Sequence, residues 1–176
     1  MRYRLAAIED QILASLKANE AFQHVLVDTL AGQINPQMFA DPAYMQGFLK
    51  LLPFALVAYN GRVGEKSKRD SSGKTYEHTL TFRIFTGAQS LRDTKEATHS
   101  CYDLLAAEFD ALAGKVIKSV PQRLPTYTEL QGVAITDEQF VAMSPFYETG
   151  GEDETLVVSL PGIVVYQSDW SVRVIA

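Results

Sequence analysis

The sequence predicts an α+β fold: a mostly antiparallel sheet with helices packed on one face. Three observations carry that expectation. Phe54, Ala55, Leu56, Val57, Ala58 and Tyr59 are apolar on both alternating faces, as in a strand covered on both sides. Tyr76, Leu80, Phe82 and Ile84 alternate with Glu77, Thr79, Thr81 and Arg83, and a similar alternation returns at the end of the chain, so two further strands are half-buried. Apolar residues recur at helical spacing within residues 4–18 and 97–112, giving two helices an apolar stripe to bury.

In chain order, Leu5, Ile8, Ile12, Leu13 and Leu16 make the stripe of the first helix, with Glu9, Asp10 and Lys17 outside it. His24 to Leu30 is a short β-rich run ended by Gly32. Asp41 and Pro42 open a second helix as cap and first helical residue. Tyr44, Met45, Phe48, Leu49 and Leu52 are its stripe, and Pro53 closes it. Residues 61–75 then read as a long hairpin loop between the central strands, with five basic and two acidic side chains. Ser90 is expected to cap the main helix, with an acid, Asp93, three residues on. Ala97, Cys101, Leu104, Leu105 and Leu112 share its apolar face, and Gly114 ends it.

Pro121 and Pro125 bracket a linker before an extended run near residues 127–135. Phe140, Val141, Phe146 and Tyr147 suit a pair of strands, and residues 149–154 a turn or acidic tip. Val164, Tyr166, Trp170, Val172 and Val174 alternate with Gln167, Asp169, Ser171 and Arg173, which is a long half-buried strand.

The chain of 176 residues fits one domain spanning 1–176, with 47% hydrophobic and 21% charged residues as in an ordinary globular protein. A net charge of -5 argues against a general nucleic-acid binder, because phosphate binding needs a cationic excess. One cysteine, Cys101, excludes an internal disulfide and fits a reducing compartment. Glu9 and Asp10 interrupt the first apolar run too early for a secretion signal. The most apolar window, 48–59, holds Lys50 and Pro53 and is too short to span a bilayer. The expectation is a cytoplasmic protein with no membrane and no nucleic-acid partner.

No catalytic, cofactor-binding or metal site emerges from the residues. Residues 61–67 have the glycines and lysine of a phosphate-binding loop, but Glu65 separates Gly64 from Lys66 and a strand follows where a helix is needed. His99 and Asp103 share a helix face, but two ligands fall short of the usual three or four, so a surface ion pair is expected. Cys101 lies on the apolar face and reads as a small buried hydrophobe. Glu148, Glu152, Asp153 and Glu154 lack the alternating spacing and central glycine of a calcium loop and read as solvated acids. The cationic cluster Arg62, Lys66, Lys68, Arg69 and Lys74 is the one candidate binding surface, suited to an acidic protein.

Five segments taken together carry a family resemblance: residues 8–13, residues 51–59, Thr81-Phe82-Arg83-Ile84-Phe85 leading to Ser90-Leu91-Arg92, and Tyr102-Asp103-Leu104-Leu105. In this order they resemble the Mu-like phage tail proteins that act as tail terminators or tail-completion proteins. The resemblance covers residues 4–132 and extends to the final strand; the long arm at 61–75 and an insertion at 137–160 depart from it. It implies a tail-terminator-like subunit that forms a ring, expected to be a hexamer, on the head-proximal end of the tail tube. There it ends tube growth and offers a docking surface to neck proteins. Its partners are then itself, the tube and the neck, and it works in the bacterial cytoplasm during assembly and in the virion tail afterwards. Arg62, Lys66, Lys68, Arg69 and Lys74 are assigned to protein contact on this view. Two other readings stand beside it: a small cytoplasmic binding module that uses the same arm, and an enzyme with no recognisable site.

Overall fold

The computed structural model describes residues 5–30, 41–64, 68–70, 73–75, 77–115, 147–148 and 155–175. Helix α1 (Leu5–Lys17) is followed by a 3-10 turn at Glu20–Phe22, strand β1 (Leu26–Thr29), helix α2 (Pro42–Leu49), and strands β2 (Phe54–Gly64), β3 (Lys68–Asp70), β4 (Gly73–Thr75) and β5 (Glu77–Gln89). Helix α3 (Thr94–Leu112) and strands β6 (Tyr147–Glu148), β7 (Thr155–Leu160) and β8 (Ile163–Ile175) complete them. The main sheet runs β1-β2-β5-β8, with β6 and β7 both paired to β8 at different heights; β1 is parallel to β2 and the rest are antiparallel. The expected α+β class with a mostly antiparallel sheet is what the chain adopts.

Alternation along the strands divides the core. Ala55 and Val57 of β2, Leu80, Phe82 and Ile84 of β5, and Trp170 and Val172 of β8 face α1 and α3, against Ile8, Ile12, Leu16, Leu104 and Leu112. The intervening residues Phe54, Leu56, Phe85 and Val165 face the other way and meet Phe48 and Leu52. The two long helices therefore share one face, as the stripes imply, while the short α2 covers one end of the opposite face. Its placement explains why residues 54–58 are apolar throughout: all five are buried, with Ala55 and Val57 on the α1–α3 side and Phe54 and Leu56 on the α2 side. The Phe48 and Phe54 rings meet edge to face at 4.6 Å.

Local chemistry fixes the element ends. Asp41 caps α2 by accepting from the Ala43 N–H at 2.9 Å, with Pro42 opening the helix. Helix α3 is capped by Asp93 rather than Ser90: the Asp93 carboxylate accepts from the Glu96 N–H at 2.7 Å. Aspartate satisfies an orphan helical N–H as serine would, and the chain enters three residues later than the serine suggests. Ser90 bonds instead to the Glu96 carboxylate and accepts from the Arg92 N–H. Gly114, φ +70°, follows the last helical turn in the left-handed region, as expected of a terminating glycine.

Two stretches carry strands beyond those the sequence reading placed there. Residues 61–64 belong to β2, whose ladder to β5 runs on through Arg62↔Leu80, Val63↔Thr79 and Gly64↔His78, so the loop is shorter than 61–75. Polar composition misleads there because a strand leaving the core needs no apolar face. β3 and β4 pair with each other beyond it, with Arg69 opposite Lys74. In the stretch expected as an insertion, β6 and β7 both join β8, and β7 turns into β8 through Pro161-Gly162. Proline cannot take positive φ, so Gly162 at φ +74° makes this a type II turn. The expected strand near 127–135 and the residues 140–146 lie outside the described residues.

Candidate protein-contact surface

The cationic arm is built on the best-paired part of the sheet. β2, β5 and β8 are the long strands, and their ladders hold together from Phe54↔Gly87 to Gly64↔His78 and from Gln89↔Ile163 to Glu77↔Ile175. One irregularity interrupts β2: Tyr59 pairs with Phe82 but Gly61 pairs with Thr81, so Asn60 is an extra residue, a β-bulge. Gly61 takes φ +131°, open to glycine and disfavoured for other residues. The bulge shifts the alternation by one, which sets Arg62 opposite the buried Leu80, on the α1–α3 side of the sheet. Arg62 itself is exposed. Lys68 and Arg69 stand on β3 and Lys74 on β4, while Lys66 lies outside the described residues.

Beneath α3 lies a polar cluster that the sequence reading did not single out. Glu108, 1% exposed, accepts from the Thr86 hydroxyl at 2.8 Å, from the Trp170 indole N–H at 2.7 Å and from the Ser168 hydroxyl. Cys101 donates to the Thr86 carbonyl at 3.2 Å and is buried, as expected of it. A signal was available, because Glu108 is four residues after Leu104 and seven after Cys101, hence on the apolar stripe. The cluster pins α3 across β5 and β8. With every member buried, it offers no access to a substrate.

On the opposite face Arg83 and Asp169 are register partners and form a two-pronged ion pair, Nε to Oδ1 at 2.7 Å and the second nitrogen to Oδ2 at 2.8 Å. The hydrogen bond to Asp169 raises the Arg83 pKa further, so the guanidinium stays charged. Next to it the Thr81 and Ser171 hydroxyls lie 3.1 Å apart. These cross-strand pairs align β5 with β8.

The outer side of α3 carries Tyr102, Ala106 and Phe109, with Asp103 and Asp110 beside them, around a shallow hollow that Leu105 also lines. A second hollow, between α2 and β7, is lined by Pro42, Met45, Gln46, Leu49, Val157, Val158, Ser159 and Leu160 and holds no ionisable group. His99 and Asp103 are both exposed, and no ion pair joins them among the described residues. Among the described residues no three His, Cys, Asp or Glu side chains come together as a metal site, and no helix is long and apolar enough to cross a membrane. Residues 61–64 are extended strand in the β2–β5 ladder and not a loop curled around a phosphate, and the remainder of that candidate, residues 65–67, lies outside the described residues. Glu152, Asp153 and Glu154 lie outside the described residues.

No family model matches the chain, and no curated protein does either. Among solved structures it is similar to a chain of a virion of a native gene transfer agent particle. The TM-score is 0.47 and the identity 13%, over 96% of this chain and 94% of that one. Nothing about this chain follows from a likeness at that level.

Proposed function

We propose that this chain is a structural subunit of a phage tail or tail-like particle. It caps the tail tube as a ring, ends tube growth and presents the docking surface for the neck on the head side. The reading takes its family from the sequence resemblance and its physical support from one feature, the β2–β5 ladder that carries a cationic hairpin past the core. Tube subunits stack head to tail, and stacking stops at a subunit with one matching and one non-matching face. Such a cap needs a stiff sheet, a repeating contact with its neighbour and a segment that reaches across. It needs no bond-making residues, and we assign no reaction, cofactor or metal. The ring is proposed as a hexamer, with Arg62, Lys66, Lys68, Arg69 and Lys74 making protein contacts in it. Assembly takes place in the bacterial cytoplasm, and the ring stays with the tail.

The test is deletion of residues 65–73 in a particle-producing strain. Tails of uncontrolled length, or tails that fail to join heads, are expected by electron microscopy. Normal tails on normal heads would overturn the reading of the arm.

A further inference from the structure

The side-chain amide of an asparagine is open to attack by the backbone nitrogen of the residue that follows it. The attack needs that nitrogen to reach the amide carbon, with no bulky side chain in the way. The sequence has three asparagines, Asn19, Asn35 and Asn60. Asn35 precedes Pro36, which has no N–H to give up. Asn19 precedes Glu20, and both ends of its amide are held: Nδ2 donates to the Ala107 carbonyl at 3.1 Å and Oδ1 accepts from the Ala21 N–H at 3.0 Å. Asn60 precedes Gly61, which has no side chain to hinder the approach. Asn60 is exposed, and its amide has no hydrogen-bond partner among the described residues.

A regular strand would protect such a pair, because the ladder holds each N–H toward the neighbouring strand and away from the preceding side chain. Here the ladder slips. Tyr59 pairs with Phe82 and Gly61 with Thr81, so Asn60 is the residue of β2 left without a partner on β5. Gly61, at φ +131°, has also left the extended region.

We propose that Asn60 is a site of slow self-modification in the folded chain. The Gly61 nitrogen attacks Cγ of Asn60, its proton passes to the departing amide, and ammonia leaves as the old C–N bond breaks. The product is a cyclic imide, which water opens at either of its carbonyls. One opening gives aspartate. The other gives isoaspartate, in which the main chain runs through the side-chain carbon and is longer by a methylene. Both add a carboxylate that is ionised at neutral pH, beside Gly61 and next but one to Arg62.

The bulge is also where the longer product fits. A backbone atom added at a residue with no partner lets the flanking pairs, Tyr59↔Phe82 and Gly61↔Thr81, keep their register. The fold therefore survives, while the strand leading to the cationic residues gains a negative charge at its foot. The modification is independent of what those residues touch.

The experiment holds the full folded chain in mildly alkaline buffer at body temperature, beside the same chain unfolded in urea. Samples taken over weeks are digested with trypsin, with a fresh sample as background, and the peptide of residues 51–62 is followed by mass spectrometry. In the folded chain that peptide is expected to gain the mass difference between an NH2 and an OH group and to split into two chromatographic peaks. Isoelectric focusing shows a new, more acidic band, and circular dichroism stays that of the fresh chain. Asn60→Gln loses the mass gain and the acidic band together. A folded chain whose peptide keeps its mass while the unfolded chain converts overturns the proposal, because the ladder then shields the pair. Failure of both samples to convert overturns it as well, and so does an acidic band that persists in Asn60→Gln.

Discussion

Replacing Glu108 by alanine would leave the Thr86 and Ser168 hydroxyls and the Trp170 indole without the carboxylate they share inside the core. Stranding buried donors costs about 3 to 5 kcal/mol, whereas Glu108→Gln keeps one acceptor oxygen and costs less. Urea denaturation of both variants measures the difference, and equal losses would show that the hydrogen bonds are not what matters. Gly162 is constrained twice. Its φ of +74° disfavours a side chain, and an added Cβ would sit 2.4 Å from the Ser90 carbonyl oxygen. Gly162→Ala is expected to lose about 2 to 3 kcal/mol, read as a lower melting temperature. Glu9 gives the pH dependence. Burial raises its pKa above the ordinary carboxylate value, with repulsion from Asp10 as the smaller cause. The folded chain then holds that proton more tightly than the unfolded one, so the contribution is most favourable at acid pH and is lost as pH rises through the raised value. Glu9→Gln should therefore raise the melting temperature more at pH 7 than at pH 4; the same shift at both would count against it.

Among the elements, the arm is separable from the sheet that carries it. Joining Gly64 to Lys74 leaves the ladder intact up to Gly64↔His78, so deletion of 65–73 is expected to move the melting temperature by no more than about 3 °C. A large drop would mean that the hairpin helps hold the core. The long elements were legible from sequence because their periods are clean. The buried stripe of α3, from Ala97 through Leu112, and the alternation of β8 leave one way each to meet a core. Apolar residues at every position of 54–58 announced cover on two sides, but no local pattern says which helix supplies which side, and α2 took the far one. β7 was missed because Thr155–Leu160 is an edge strand without strict alternation, although Pro161-Gly162 was a turn signal in plain sight. Glu108 escaped because charge is read as exposure until its partners, 22 to 62 residues away, are known. The arm was legible as a cluster of charge, but its strands were not, since polar residues hide a ladder that has left the core.

For the molecule as a whole, the sheet sorts its tasks by place. One face is covered by α1 and α3, part of the other by α2, and β2 runs on past them toward the residues of the cationic hairpin. In the proposed ring the cationic residues make contacts between copies, and salt should weaken contacts made through charge. The bulge at Asn60–Gly61 then has a geometric meaning larger than its size. A single extra residue shifts the register of β2 as it leaves the core toward the arm, and glycine is what allows the backbone to take that step. In a closed circle every joint repeats the same heading, so a small error at residue 61 is multiplied by the number of subunits. On the proposed reading, whether the circle shuts, spirals open or settles on a different membership would be delegated to one residue without a side chain.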